Sequence, residues 1–506
     1  MIPVFLLGSS GPAPRALPSA AKLIGALALL TAFGCTGAHV NGTRGVAPDE
    51  IAAYATARTP ELLTAMNRTP HQRPITQLDS FAFGAPSPQN PDGMQVLRYR
   101  LDNGLEVLLL EDRSVATFAY QTWFRVGSRH ERLGRTGIAH LFEHLMFKET
   151  RNLEEGEFDH IMESHGAETN AATWLDWTMY REDLPAADIE LAIRLEADRI
   201  ENMVLNKEQL ESERDVVKNE RRYRVDNDPE GAMFELLYAT AYTEHAYGWP
   251  TIGWMKDIEA ITLEDCLAFY KTYYAPNNAV LVIVGNIDPA ETLALVNAYY
   301  GHLNAQVIPE EHTTPEPPQH GERRKLIAMP ISSPKVLYGY HIPALTDPEH
   351  AAVELLHTIL FGGRSARLYK RLITDLEWVT DTSGWVGEFA QPALYELLLN
   401  LKPEMDVERV EAVVDEELVR LGKEPIPEAE LQKAKNQLQA EYLRNMQEVG
   451  DRAYGLGHYA TTAGDFKLLF ELTDRYDAVT AEDVARAART FFQTDNRTTV
   501  VAMPRP

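Results

Sequence analysis

His140 and His144 stand four residues apart in Gly137-Ile138-Ala139-His140-Leu141-Phe142-Glu143-His144-Leu145-Met146-Phe147. The run has apolar residues at helical spacing and no Gly or Pro after its first position, so it reads as a helix. Four residues is close to one turn. Both imidazoles therefore share a face and could grip one Zn²⁺, while Glu143, one residue away, reaches the open side of the metal. The order H-x-x-E-H mirrors the H-E-x-x-H order of other zinc-binding helices. Two histidines one turn apart by accident are the alternative, and the surrounding chain must decide.

A catalytic zinc needs three protein ligands and one open position for water. A third ligand should come from another element, and the helix predicted over Glu208–Tyr223 offers carboxylates. Within Glu211-Ser212-Glu213-Arg214-Asp215-Val216-Val217-Lys218-Asn219-Glu220, Glu213 and Glu220 lie seven apart and point to one face. Val216 and Val217 are expected to anchor that helix to the core. Without the histidines, the stretch would read as an ordinary salt-laced helix surface.

The elements that must position these groups follow from hydrophobic pattern. Val96–Leu101 and Leu105–Leu110 flank Asp102-Asn103-Gly104, the grammar of a hairpin, and order is expected to begin there. Phe118–Val126 reads as a strand, Gly156–His165 as a helix, and Ala167–Tyr180 as strand. Helices are expected over Pro185–Leu205, Lys207–Tyr223, Leu263–Tyr273 and Pro289–Tyr300, with a buried strand at Val280–Val284. Pro309-Glu310-Glu311-His312-Thr313-Thr314-Pro315-Glu316-Pro317-Pro318 reads as a linker. After it come strands (Lys325–Met329, Lys335–Tyr340), a helix (Pro348–Phe361) and strands (Trp378–Phe389, Ala393–Leu401). Two long helices (Met405–Leu421, Pro427–Ala463) and a helix-strand over Ala481–Met503 close the chain. The repeated order of two α+β units of about 200 residues points to internal duplication. The second unit has no H-x-x-E-H.

At 506 residues the chain is long enough for two domains, and its 45% apolar content is that of a folded globular protein. A net charge of −26 argues against nucleic acid as a partner, because phosphates need clustered Lys and Arg. The two cysteines, Cys35 and Cys266, exclude a disulfide scaffold. Arg15 and Lys22 precede the apolar run Leu23–Phe33, which has the length of a signal h-region and is too short to span a bilayer. Ala32-Phe33-Gly34-Cys35 resembles a lipoprotein box with Ala where Leu is usual. Residues 1–35 are therefore read as a signal peptide of lipoprotein type, with Cys35 the lipidation site, or with simple cleavage nearby. Export to a periplasm or lipid anchoring at a bacterial envelope is expected, with no membrane contact beyond that lipid. Residues 36–90 are read as a polar N-terminal extension or tether, 91–302 as the metal-binding domain, 303–323 as the linker, and 324–506 as the second domain.

Further residues carry a resemblance. Glu213-Arg214-Asp215-Val216-Val217-Lys218-Asn219-Glu220 fits E-R-x-V-x-x-x-E, and Glu220 lies 76 residues after His144. With Asn103-Gly104-Leu105, Gly127-Ser128-Arg129, Asn170-Ala171-Ala172-Thr173, Tyr180, His245-Ala246-Tyr247-Gly248, Tyr274-Ala275-Pro276-Asn277-Asn278 and Gly362-Gly363-Arg364-Ser365-Ala366-Arg367-Leu368, the chain resembles the pitrilysin-type inverzincin peptidases over Val96–Met503. These form the superfamily of insulin-degrading enzyme and mitochondrial processing peptidase. The resemblance implies an α+β fold of two homologous domains, each a mixed sheet packed with helices, together half of a clamshell chamber. It implies one Zn²⁺ per chain on His140, His144 and Glu220, Glu143 as the acid–base group, and Glu213 beside the ligands, orienting one of them. Asn170 on an edge strand would hold an extended peptide by strand addition. The family's second half supplies an Arg and a Tyr seven apart that bind substrate near the zinc, and Arg452 and Tyr459 have that spacing. The implied function is a zinc endopeptidase acting on peptides or small unfolded polypeptides as a homodimer, or as a heterodimer with a related chain. The alternative is a non-catalytic subunit.

Overall fold

The structure, a computed structural model, describes residues 73–84, 93–311 and 313–505. The segment expected to be a signal peptide and Cys35 lie outside them, as does most of the expected extension. Within the extension, however, Ile75–Phe83 is a strand, β1, paired along its length with β2 (Met94–Leu101). Its alternate residues Phe81 and Phe83 stack on Phe470 of the second unit. A strand thus stands about twenty residues before the predicted hairpin, because these aromatics find an apolar surface that lies far along the chain.

As Asn103-Gly104 predicts, β2 turns into β3 (Glu106–Glu111) as an antiparallel hairpin. Gly104 has φ +90°, and a Cβ there would fall 2.6 Å from the Asn277 Cβ, so the position demands glycine. β4 (Thr117–Phe124) leads through a loop to α1 (Ile138–Leu145), which carries the histidines, and then to α2 (Glu157–Ser164). The predicted strand over Ala167–Tyr180 is the start of a hairpin, β5 (Glu168–Thr173) and β6 (Thr178–Pro185). Helices α3 (Ile189–Asn202), α4 (Lys207–Arg221), α5 (Pro229–Ala241), α6 (Met255–Ala260) and α7 (Leu263–Tyr273) precede β7 (Ala279–Gly285) and α8 (Pro289–Tyr300). Of the two valines of α4, only Val217 is buried. Val216 is on the exposed side, so one valine rather than two anchors the helix.

The second unit runs β8 (Arg323–Met329), β9 (Lys335–Ile342), α9 (His350–Phe361), β10 (Val379–Val386) and β11 (Ala393–Leu401). It continues with α10 (Val407–Lys423), α11 (Glu428–Asn445), α12 (Val449–His458), α13 (Leu468–Ala478), α14 (Ala481–Phe491) and β12 (Arg497–Pro504). The single helix expected over Pro427–Ala463 breaks at Met446-Gln447-Glu448, where the chain leaves one sheet to reach the other. Three helices, α5, α6 and α13, are absent from the pattern reading. For α5 a signal was present: Asp228 accepts the Gly231 N–H and Pro229 opens the helix, an N-cap with Pro at the first position.

The first sheet has the order β1-β2-β3-β7-β4-β6-β5 and the second β10-β11-β9-β12-β8. Taken from β3 and from β8, the two orders are the same: β3-β7-β4-β6-β5 and β8-β12-β9-β11-β10. In each, the first pair is parallel and the rest antiparallel. The helices correspond as well, α1 with α9, α4 with α11 and α5 with α12. Duplication is therefore visible in topology although not in residue identity.

The two units exchange helices. α12 of the second lies across β4 and β7 of the first, and α5 of the first lies across the equivalent β9 and β12 of the second. Each crossing rests on a glycine. A Cβ at Gly457 of α12 would lie 2.1 Å from the Trp123 Nε1, and one at Gly339 of β9 would lie 3.1 Å from the Leu237 Cδ1 of α5. The Arg452–Asp112 ion pair (2.5 Å) is buried in the first crossing. The proline-rich stretch after α8 is strapped down: the Glu316 carboxylate accepts the N–H groups of Thr243, Glu244 and His245, and Arg129 pairs with Glu311. Gly457→Ala forces Trp123 off its place in a close-packed layer and is predicted to cost about 1–3 kcal/mol. Thermal unfolding checks this; an unchanged midpoint would mean that the crossing relaxes freely.

Candidate metal centre

α1 is held at its first turn rather than by its own residues. Gly137 (φ +89°) opens it, and a Cβ there would strike the Ile252 carbonyl oxygen at 2.5 Å. The buried Glu131 carboxylate accepts the Gly137 and Ala139 N–H groups, both at 2.8 Å, satisfying donors that a helix start leaves unpaired. Asp257 accepts the Thr136 hydroxyl at 2.8 Å. Behind α1, Leu141, Phe142 and Leu145 are fully buried, and Phe142 packs on Tyr270 and Tyr274. Apolar and histidine positions thus take opposite sides, as the spacing predicts.

His140, His144 and Glu220 converge. One ligating atom from each lies within 4.8 Å of the others, and among the described residues they are the one such group of three. The Glu220 Oε2 is 3.6 Å from the His140 Nε2 and 3.4 Å from the His144 Nε2. That oxygen is buried and accepts no hydrogen bond, and the opposite His140 nitrogen, Nδ1, is likewise buried without one. Burial lowers the His140 pKa to about 4, so at neutral pH its ring is uncharged with a lone pair to give. Burial pushes Glu220 up, but the imidazoles and the Arg224 guanidinium outweigh it and hold the carboxyl at about 2. Arg224 Nε is 3.0 Å from the other oxygen, Oε1. Two imidazoles and one carboxylate, with an unsatisfied oxygen between them, are the donor set of a catalytic zinc site.

Glu213, the other candidate on the same face of α4, is not part of this group. Its Oε2 meets the His144 Nδ1 at 3.3 Å and its Oε1 takes the Lys148 ammonium at 2.6 Å. These bonds outweigh burial and keep its pKa below the usual carboxylate range. It therefore orients an imidazole and raises its basicity. Glu143 points to the other side, where its Oε2 accepts the Thr173 hydroxyl at 2.6 Å. Burial raises Glu143 to about 7 against the pull of His144 and Thr173. A carboxyl poised near neutrality suits a group that must both take and return a proton.

Asn170 lies on β5, the edge strand of the first sheet, with its side-chain oxygen on the Ala171 N–H. Arg452 and Tyr459 lie away from this group. Both are buried, 4% exposed, in the seam where α12 crosses the first sheet. Arg452 is committed to Asp112, and Tyr459 belongs to the core shared with Trp123 and Val282. The structure does not bring them to the metal ligands, because the seven-residue spacing put them on the inward face of a helix that the duplication docks onto the sheet. Pattern reading missed Glu131, Lys148, Thr173 and Arg224. Only Thr173 and Arg224 had a signal: one closes the Asn170-Ala171-Ala172-Thr173 run, the other lies one turn past Glu220.

The family Insulinase (Peptidase family M16) matches residues 106–253, and Peptidase M16 inactive domain matches 260–438. Zinc protease PqqE of Helicobacter pylori is 30% identical over 80% of this chain and 92% of that protein. The chain belongs to peptidase family M16. A crystal structure of a protease from Helicobacter pylori superposes with a TM-score of 0.77 at 29% identity, covering 80% of this M16 chain and 99% of that one. The periplasmic protease PqqL of Escherichia coli shares the fold (TM-score 0.68, 18% identity) over 83% of this chain and 48% of its own. The boundary between the two family matches falls inside the first unit, ahead of α7 and β7, and the inactive-domain match falls mostly on the unit without the histidines.

Glu213→Gln is predicted to weaken binding of a divalent metal by about 10–100-fold. A competition titration against a chromophoric chelator measures this, and an unchanged affinity would leave Glu213 without the orienting role.

Proposed function

We propose that this chain is a zinc-dependent endopeptidase acting on peptides or small unfolded polypeptides. The observation that carries the reading is the convergence of His140, His144 and the buried Glu220 oxygen beside a Glu143 carboxyl raised to about 7. A relative named a zinc protease supports the choice of metal. Zinc held by the three ligands would supply Lewis acidity, making water a nucleophile near neutral pH and polarising the scissile carbonyl.

The chain's own residues do the rest. Glu143 takes a proton from the attacking water as the oxygen adds to the carbonyl carbon, and then hands that proton to the departing amine nitrogen. Thr173 fixes the rotamer from which Glu143 does this. Glu213 and Lys148 keep the His144 ring in the plane its ligand nitrogen needs. β5 offers a free edge on which a peptide could lie as one more strand, with Asn170 at its middle. Recognition by main-chain bonds would favour extended, unfolded segments over particular side chains.

We further propose that two copies act together. The chain corresponds to about half of a longer protease of the same fold, whose remaining length a second copy would supply. The heterodimer and the non-catalytic subunit are the competing readings. The inactive-domain match does not favour the latter, since it lies outside the segment that carries all three ligands.

Two outcomes are expected. The purified protein carries about one zinc per chain and cleaves a mixed peptide library, and a chelator or Glu143→Gln lowers the rate by about 10²–10⁴-fold; zinc-loaded protein that cleaves nothing would favour the subunit role. Light scattering shows twice the mass of one chain, and a monomer at working concentration would remove the paired arrangement.

A further inference from the structure

The counterpart of the metal centre in the second unit has been relined. α9 occupies the place of α1, and α11 the place of α4. Glu441 is the fourteenth residue of α11, as Glu220 is of α4. Glu354 faces it from α9, with Glu388 contributed by the β10–β11 connection and His458 by the end of α12.

Glu354 is 8% exposed, and neither it nor Glu441 makes a hydrogen bond or ion pair through its carboxylate among the described residues. Burial and the carboxylates of Glu388 and Glu441 together push Glu354 well above the usual range. The cation whose field reaches the group is Arg444, an exposed residue on α11, and it acts only on Glu441. His458 supplies an independent sign. It is 5% exposed, and its Nε2 is buried without a hydrogen bond, 3.7 Å from the Glu388 Oε2. Its ring is stacked on Tyr454 and met at the edge by Tyr459 and by Trp177, which follows Thr173 in the β5–β6 turn. Glu388, 36% exposed, is the mouth.

Three carboxylates and an imidazole that burial keeps neutral are thus gathered in one place, with the exposed Arg444 beside Glu441 the one cation whose field reaches them. Such a group is expensive to bury unless it is built for a positive partner. A bare metal ion is a poor match, since these side chains do not converge within 4.8 Å as the three ligands of the first unit do. An ammonium or guanidinium fits better. Its several donors spread over a wider space, and aromatic walls attract its charge.

We propose that Glu354, Glu388, Glu441 and His458 form a pocket for a cationic group of a peptide: a Lys or Arg side chain, or a free amino terminus. The inference rests on the peptidase reading and narrows its substrates to peptides that carry a positive charge away from the scissile bond.

The test uses full-length Glu143→Gln protein, which holds peptides without cutting them, and fluorescence anisotropy with three labelled peptides. One is acetylated with a single Arg, one has a free amino terminus and no Arg, and one is acetylated and neutral. At least one cationic peptide should bind about tenfold more tightly than the neutral one. Adding Glu354→Gln and Glu388→Gln should erase the difference, and which cationic peptide loses affinity tells side chain from terminus. Equal binding of all three, or a preference that survives both substitutions, overturns the pocket. Removing repelling charges should raise the unfolding temperature, so lost binding with a raised midpoint separates a binding role from a structural one. Glu388→Gln alone, at the mouth, should give a partial loss without disturbing the interior. Wild-type cleavage that is indifferent to charge sinks the pocket and leaves the peptidase standing. Charge-selective binding by a protein that cleaves nothing does the reverse.

Discussion

An ionised carboxylate held in the protein interior beside two imidazoles is the constraint that the first unit is built to meet. Left alone, the Glu220 oxygen would cost several kcal/mol and would draw in water or a proton. Its neighbours prevent both outcomes. Arg224 neutralises one oxygen and leaves the other free, and burial keeps the His140 ring uncharged. The helix bearing the rings cannot shift to relieve the group, because Glu131 grips its first turn and Gly137 lies against Gly253 with no room for a Cβ. Glu213 and Lys148 then remove the remaining freedom, ring rotation. A site so fixed is ready for a cation before the cation arrives, and that is the preorganisation catalysis needs.

The same rigidity reaches the second unit through exchanged helices. Neither sheet is covered on its own. β4 and β7 need α12, and β9 and β12 need α5, so separating the units would bare the centre of both sheets. Charged ties cross the seam as well. Asp176, in the β5–β6 turn, binds Arg129 in the first unit and the Ala390 N–H in the second, and Tyr247 links to the same carboxylate. The turn that ends edge strand β5 is thus pinned from both sides, so the position of Thr173 against Glu143 depends on the whole chain.

Most of the metal site was legible because its residues are set by local geometry. His140, Glu143 and His144 need one helix, and Glu213 and Glu220 need one face of another; helical period alone supplies both. What local pattern could not supply is which face docks where. Arg452 and Tyr459 share the helical spacing of Glu213 and Glu220, yet α12 turns them into the sheet and not toward a site. The break at Met446–Glu448 is invisible for the same reason: no Pro or Gly stands there, and the cause is a crossing to a sheet more than three hundred residues back. Strand β1 is legible only in hindsight, since Phe81 and Phe83 acquire meaning from Phe470. Cys266 shows the easy case, a small apolar residue buried as its type suggests.

Duplication explains why the second unit keeps a pocket where it has lost the metal motif. The fold places two helices, α1 and α4 or α9 and α11, so that their facing positions share a buried space beside the sheet. Filling that space with apolar residues would stabilise the domain by ordinary packing, which is the cheap solution. The first unit instead lines it with two imidazoles and a carboxylate, and the second with Glu354, Glu441 and His458. Since unpaired buried carboxylates lower stability, their presence at the duplicated position is a cost with no return in folding. A return in binding is the account that treats both units by the same physics: each holds a destabilised, like-charged or lone-pair-rich cluster that a positive partner relieves. On the proposed function the partner in one unit is a metal ion, and in the other it is the charge on a peptide.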